Sequence, residues 1–293
     1  LSSVLEKSLF TGHMQRMRVG ASQATALDEI SRWIEENTYI GGKPYSYKNH
    51  EYQRRILDST SREVVIRKCS QVGISEMSVR KALAMCGMIK DFTTIYTLPT
   101  ASFAAILAKT RVNPVIQESP YLREASNGTD SIEVKQFGTS FLYLKGAAST
   151  NAPISIPTDM LIHDELDFSD PIVITQYQSR LTHSPYKFKV KLSTPTIPGK
   201  GIDLEFQRSR RYYQFTKCNH CGHQFIPDFF AHVRIPHYSG ELLDITRANL
   251  HCFDYKEAFV ECPNCGGKPD LGPDHREWVC ENPTENFDAD GFQ

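Results

Sequence analysis

The sequence predicts an α/β domain on a largely parallel sheet, followed by a small cysteine-bearing unit. Three observations carry this. Strand-like and helix-like segments alternate from about residue 51 to residue 211, the pattern of helices packed on a parallel sheet. Runs such as Glu63 to Arg67 (EVVIR) are apolar enough to read as buried strands. After Tyr212 the texture changes to Cys, His, Gly, Pro and aromatics with little periodicity.

In chain order, residues 22–36 place Leu27, Ile30 and Ile34 on one helical face behind a capping Ser or Thr, an amphipathic helix. Lys43 to His50 is a Gly/Pro/Tyr-rich connector. Glu63–Arg67 reads as a strand and Ser75–Met88 as a helix; Thr93–Leu98 is a second strand, with a helix from Ser102 toward Lys109. Ile132–Phe137 and Ser140–Lys145 form a hairpin about Gly138-Thr139. Asp159–His163 and Phe188–Leu192 are two further strands. The expected organisation is an N-terminal helical and connector segment over 1–49, a core over 50–211, and a metal-binding subdomain with a linker over 212–293.

The 293 residues carry 33 Lys+Arg against 34 Asp+Glu, a net charge of −1, with 40% hydrophobic and 23% charged residues. This excludes a disordered chain, a coiled-coil rod and a small, uniformly basic DNA-coating protein. Charge is segregated, however: residues 186–211 hold seven basic against two acidic residues, and residues 254–293 ten acidic against three basic. Any nucleic-acid surface is therefore local. No apolar run reaches the ~18–20 residues of a membrane span, and no signal peptide is evident. The cytoplasm is the expected compartment, and a chain beginning at Leu1 is expected to be a fragment of something longer.

Parallel sheets bind ligands where loops leave the carboxyl ends of strands. The first such loop is Lys68-Cys69-Ser70-Gln71-Val72-Gly73-Ile74-Ser75. A phosphate loop GxxxxGK[ST] has its lysine just after the last glycine; here Ile74 takes that place and a lysine stands at the beginning, Lys68. Backbone N–H groups and a helix N-terminus still attract phosphate, Lys68 can supply the point charge from the other end, and Ser75 can ligate Mg²⁺. Cys69 reads as a small filler. Downstream, Met160-Leu161-Ile162-His163-Asp164-Glu165 is an apolar strand ending in two carboxylates. In nucleotide hydrolases such an Asp holds Mg²⁺ and such a Glu polarises the attacking water; His163 reads as a packed or hydrogen-bonding residue. A third element, Ser193-Thr194-Pro195-Thr196, again ends an apolar strand, where hydroxyls can sense a γ-phosphate.

These three elements in this order resemble the large terminase subunit of tailed phages, closest to the lambda-type branch. Its displaced-lysine loop, similar to Lys-x-x-x-Val-Gly-x-Ser, fits Lys68, Val72, Gly73 and Ser75; its acidic strand fits Asp164 and Glu165, and its coupling motif Ser193 to Thr196. Tyr47, Tyr52 and Gln53 look like its adenine-recognition segment. The resemblance implies a P-loop NTPase core of the ASCE/RecA-like type that hydrolyses ATP with Mg²⁺ to drive double-stranded DNA into procapsids. Glu165 and Lys68 would be catalytic, and Tyr52, Gln53, Lys68, Gln71, Val72, Gly73, Ile74, Ser75, Asp164, Ser193, Thr194 and Thr196 would contact the nucleotide and its Mg²⁺, the metal lying on Ser75 and Asp164. It further implies a portal or procapsid, a small terminase subunit and a homo-oligomeric ring as partners, with no membrane, in the host cell cytoplasm. Asp290-Gly291-Phe292 looks like the link to a nuclease domain outside this chain, so nuclease activity is not expected here; Asp288 and Asp290 read as solvated. Glu76, an acid beside the loop, departs from the family pattern. Arg80, Arg111 and Arg180 are candidates for the arginine that stabilises the transferring phosphoryl group.

Cys218-Asn219-His220-Cys221-Gly222 and Cys262-Pro263-Asn264-Cys265-Gly266 are two zinc knuckles. Each turn aims two thiolates at one ion, so Cys218, Cys221, Cys262 and Cys265 are expected to hold a structural Zn²⁺. Cys252, Cys280, His220 and His223 are spare donors. Two other readings compete. Asp164-Glu165-Leu166-Asp167, Thr97-Leu98-Pro99-Thr100 and Ser193–Thr196 also resemble superfamily-2 helicase motifs, although the residues after Tyr212 leave little room for a second motor domain. The displaced lysine also suits a non-catalytic zinc adaptor for nucleic acid.

Overall fold

A computed structural model describes residues 30–126, 128–148, 155–284 and 286–293. The chain divides into two compact units, one running to Arg211 and taking in Thr284–Gln293, the other Tyr212–Pro283.

The larger unit is built on a mostly parallel sheet. Its strands are β1 (Glu63–Arg67), β2 (Thr93–Leu98), β3 (Val134–Phe137), β4 (Ser140–Gly146), β5 (Met160–Asp164) and β6 (Phe188–Ser193). A last strand, Ala289–Phe292, comes from the C-terminal residues. The spatial order is Ala289–Phe292, β1, β6, β5, β2, β4, β3, parallel throughout except for the β3–β4 hairpin. Val64, Val65 and Ile66, like all of Met160 to Asp164, are buried, because helices cover both faces. The strand carrying Ser193 thus lies between the strand leading to Lys68 and the strand ending at Asp164, which brings the three sequence elements to one end of the sheet.

Helix α1 (Ile30–Asn37) is the described part of the helix expected over 22–36; residues 22–29, with Leu27, lie outside the described residues. Ser31 fastens it to Asp58, its N–H and hydroxyl donating to the carboxylate at 3.0 and 2.6 Å. Helix α2 (Tyr52–Leu57) and helix α3 (Ile74–Met88) follow. Helix α3 packs against the sheet on one side and α1 and α2 on the other, so Met77, Val79, Ala82, Leu83, Ala84 and Met85 are all buried. Each of the larger side chains contributes ~1.5–3 kcal/mol by leaving water. Beyond β2, α4 (Ala101–Leu107) passes into a π-helical turn, Ala108–Val112, then α5 (Asn113–Glu118) and α6 (Pro120–Ala125). Helix α7 (Pro171–Gln178) packs Val173, Ile174 and Tyr177 against Ile95 and Leu161. Helix α8 (Gly201–Gln207) follows β6.

Three expectations need correction. The described residues 30–49 of the N-terminal segment are not separate, since α1 packs on α3. Residues 284–293 do not continue the small unit. Ala289–Phe292 pairs in parallel with β1 and Phe292 is fully buried. Nor is Asp290 solvated: it is buried, accepts from the Ser59 hydroxyl at 2.8 Å and faces Arg210 at 3.7 Å. Local acidity suggested a tail, whereas a distant basic residue and a strand edge neutralise and bury it. No helix among the described residues is long and apolar enough to cross a membrane.

Strand β7 (Arg210–Lys217) enters the smaller unit at Tyr212 and pairs there antiparallel with β8 (Gln224–Phe225) and, on its other edge, with Arg276–Cys280. A second ribbon joins Val233–Arg234 to Phe259–Val260. Its apolar centre is small: Cys218, Phe225 and Cys262, with Val260 packed on them.

Candidate nucleotide site and thiol cluster

Strand β1 delivers the loop. The Lys68 N–H donates to the Ser193 carbonyl at 3.0 Å, tying the start of the loop to β6. The loop then turns through two left-handed residues, Gln71 at φ 61° and Gly73 at φ 73°. Gly73 is required twice over, because a Cβ there would also lie 2.8 Å from Gln53 Nε2. Gly73 is the N-cap of α3 and no side chain caps the helix start, which leaves its first N–H groups available to an anion. Ile74, in the usual lysine position, is buried in the core; a lysine there would have to bury its charge, so the cation must come from elsewhere. It comes from Lys68, whose Nζ lies 2.8 Å from Glu165 Oε1.

Strand β5 delivers the acids, and its last residue, Asp164, points into the same end of the sheet as the loop. Asp164 Oδ2 accepts from the buried Tyr96 hydroxyl at 2.7 Å. Burial raises its pKa, against the pull of Tyr96, Ser75 and Lys68. Ser75 therefore stands beside Asp164, and Asp164 Oδ1, fully buried, accepts no hydrogen bond from the described residues. At Glu165 the backbone turns left-handed, φ 55°, which swings its carboxylate to Lys68 instead of along the strand. His163 faces away: its Nδ1 shares a 2.7 Å hydrogen bond with Thr97, and burial, with Lys191 nearby, pushes its pKa down to about 3.

Strand β6 delivers the hydroxyls. Ser193 Oγ lies 3.4 Å from Glu165 Oε2 and donates to the Thr194 carbonyl at 3.1 Å. Thr196 instead reaches Asp167, its N–H and hydroxyl both donating to Oδ2 at 2.9 Å. In the sequence Asp167 stands only in the helicase-like box, and its contact with Thr196, 29 residues on, leaves no local signal.

The structure thus gathers Lys68, Ser75, Asp164, Glu165 and Ser193 at one point. Tyr52 and Gln53 lie against the loop backbone. Both donate to the Val72 carbonyl, Gln53 at 3.3 Å, and buried Gln53 also accepts from Tyr45 at 3.0 Å. Tyr47 is buried, edge-on to Tyr45 and under the Arg54 guanidinium. Its ring face is therefore taken by packing, and it is the one residue of the adenine-like segment that the structure sets apart from the loop.

Glu76, the acid beside the loop, is paired with two arginines, Arg80 at 2.9 Å and Arg111 at 3.2 Å. Arg80 is 0% exposed and lies over the Tyr45 ring, so this arginine cannot reach outward. Arg111, on the π-helical turn, is 44% exposed and its charge is felt at Tyr96, next to Asp164. The Arg180 carbonyl accepts from Thr158, before the start of β5, at the other end of that strand.

In the smaller unit the sulfurs of Cys218, Cys221, Cys262 and Cys265 all lie within 4.8 Å of one another. Cys218–Cys265 and Cys221–Cys262 are 3.8 and 3.7 Å apart. The two turns repeat one geometry: Cys218 and Cys262 donate to the carbonyls of His223 and Gly267 and accept from Gly222 and Gly266. Asn264 donates to Cys221 Sγ and, with the His223 backbone, holds that thiol down to about 6. His220 is not among the four donors; its Nε2 lies 2.9 Å from the Lys268 carbonyl.

Residues 43–280 match the family described as phage terminase large subunit gpA, ATPase domain. Among solved structures, the large terminase of bacteriophage HK97 aligns with a TM-score of 0.53 at 13% identity, covering 61% of this chain and 40% of that one. The ATPase domain of the Thermus phage P74-26 large terminase aligns at 0.44 and 20% identity, over 51% of this chain and 66% of that one. The chain therefore spans less than two thirds of either. No curated protein matches.

Proposed function

The chain belongs to the family of phage terminase large subunit ATPase domains, and on that premise we propose that it is the ATP-hydrolysing part of a motor that moves double-stranded viral DNA into procapsids. The observation that carries the reading is the convergence of Lys68, Ser75, Asp164, Glu165 and Ser193 at the carboxyl ends of β1, β5 and β6. Loop N–H groups and the α3 N-terminus would cradle the phosphates, and Lys68 would supply the positive charge that Ile74 cannot. Glu165, paired with Lys68 and beside Ser193, would take a proton from an attacking water. Ser193, between Glu165 and the start of the loop, would register whether a γ-phosphate is present. Tyr52 and Gln53 would shape the nucleotide pocket by fixing the loop backbone.

The donor set fits Mg²⁺: Asp164 Oδ1 is buried with no partner among the described residues, and the Ser75 hydroxyl is beside it. Ser75 and Asp164 would hold the ion, which would neutralise charge on the phosphates. The four cysteines fit Zn²⁺, since tetrahedral ligation at ~2.3 Å gives sulfur separations of ~3.8 Å, as found for the two close pairs. A closed Cys₄ site supplies structure, and two of its cysteines, Cys218 and Cys262, are themselves buried against Phe225. Double-stranded DNA, a portal, a small subunit, ring assembly and the host cytoplasm belong to the same proposal.

The test is ATP hydrolysis by the chain with and without double-stranded DNA. The reading expects turnover that DNA stimulates, no strand separation, and loss of at least ~100-fold in Lys68→Ala. Full activity in Lys68→Ala would overturn the loop assignment.

A further inference from the structure

Asp167 has no part in the chemistry above, yet it is among the most heavily hydrogen-bonded carboxylates near the site. It sits on the short turn Leu166–Phe168, directly after Glu165. Oδ2 accepts the two bonds from Thr196, and Oδ1 accepts from the Ile202 N–H at 2.7 Å. Its own N–H donates to Ser193 Oγ at 3.3 Å, the same hydroxyl that lies beside Glu165. The fit leaves no slack. Gly201 is left-handed at φ 53°, and a Cβ there would fall 2.4 Å from Asp167 Oδ1.

The segment between Thr194 and Ile202 is thus a strap, largely exposed to solvent yet anchored at both ends. Asp167 holds it to the acidic loop. Asp203 holds it to β1, pairing with Arg67, the residue before Lys68, while accepting from the Gly199 N–H at 2.6 Å. The strap runs straight into α8, which packs on β1 and on the Ala289–Phe292 strand. Charge-assisted hydrogen bonds of this kind are short and directional, so a strap held by them moves with its anchor or not at all.

We propose that Asp167 is a positioning residue that fastens the strap and α8 to Glu165 and Ser193, so that a nucleotide-dependent shift at the hydrolytic site is carried to α8 and the C-terminal strand of the sheet. The proposal rests on the reading of that site as nucleotide-binding. Asp167 touches no phosphate in this account. Its effect is on whether the strap follows the acids.

The experiment is hydrogen exchange with mass spectrometry on the whole chain, with and without a non-hydrolysable ATP analogue and Mg²⁺. Wild type is expected to show an analogue-dependent change in exchange across residues 194–207. Asp167→Ala should bind the analogue within ~threefold of wild type, exchange the strap amides at least ~tenfold faster, and lose the analogue-dependent change in α8. Thr196→Val, which removes one bond to the same carboxylate and leaves Asp167 in place, should weaken the response in the same direction and serves if Asp167→Ala does not fold. If either folded variant binds the analogue and still passes the full change to α8, the coupling role is overturned. So it is if wild type binds the analogue with no change beyond the loop. Failure of wild type to bind the analogue at all is a different result, which removes the nucleotide-site reading and the proposal with it.

Discussion

Replacing His163 by Gln should flatten the acid sensitivity of the fold. The ring is fully buried on β5, with Thr97 on Nδ1 and no partner on Nε2. Burial first, and the charge of Lys191 second, lower its pKa from 6.5 to about 3. The unfolded chain binds a proton on this ring below about 6.5, while the folded chain refuses it until about 3. Stability is therefore lost as pH falls through that window. Between about pH 7 and about pH 5 the loss from this one group is ~2 kcal/mol. Glu35, Glu63 and Asp203, whose pKa values are lowered, act in the same direction, and only below the ordinary carboxylate range; Asp164, raised by burial, acts in the opposite direction. The lowered carboxylates act below the window between pH 7 and pH 5, and the Cys221 thiol and Asp164, present in both proteins, cancel when the two are compared. The assay is urea denaturation of wild type and His163→Gln at both pH values, comparing each protein with itself so that the lost Thr97 contact cancels. Equal losses in the two proteins would refute the reasoning.

Two further perturbations probe the loop and the thiol cluster. Gly73→Ala should destabilise by ~2–3 kcal/mol, from a left-handed β-carbon plus displacement of Gln53, and should weaken ATP-analogue binding; a denaturation midpoint unchanged from wild type would count against the loop geometry. Metal analysis should find one Zn²⁺ per chain in wild type and none in Cys262→Ser, with chelation loosening the smaller unit as judged by proteolysis within residues 212–283. Equal zinc in the variant would remove the Cys₄ assignment.

Much of this arrangement was legible in the sequence because it is local. Buried parallel strands are short apolar runs bounded by loops, so Glu63–Arg67 and Thr93–Leu98 emerge with the bounds the structure gives. The displaced lysine, the acidic pair and the Cys-x-x-Cys-Gly turns are likewise consecutive residues. The helices α5, α6 and α7 are hard to see because Pro114, Pro120 and Pro171 look like breaks, whereas Pro120 and Pro171 occupy first-turn positions where the absent N–H costs nothing, and Pro114 directly follows the π-helical turn Ala108–Val112. Other features were illegible because their causes are distant in sequence. Glu76 was a misfit until Arg80 and Arg111 were placed around it. Asp290 looked solvated because Ser59 and Arg210 lie far away along the chain. Gln53 was read as a ligand group, and only the fold shows its amide engaged with Tyr45 and Val72. Asp167 matters through Thr196 and Ile202, which no local pattern could indicate.

Glu165 pairs with Lys68 beside Asp164, and in the proposed function it activates water against a bound nucleotide. Single-turnover ATP hydrolysis by Glu165→Gln, measured alongside its ATP affinity, tests this most directly. The account predicts binding within a few-fold of wild type and hydrolysis reduced by at least ~10²–10⁴-fold, the range general-base catalysis supplies. A variant that binds ATP and hydrolyses it at the wild-type rate would contradict it.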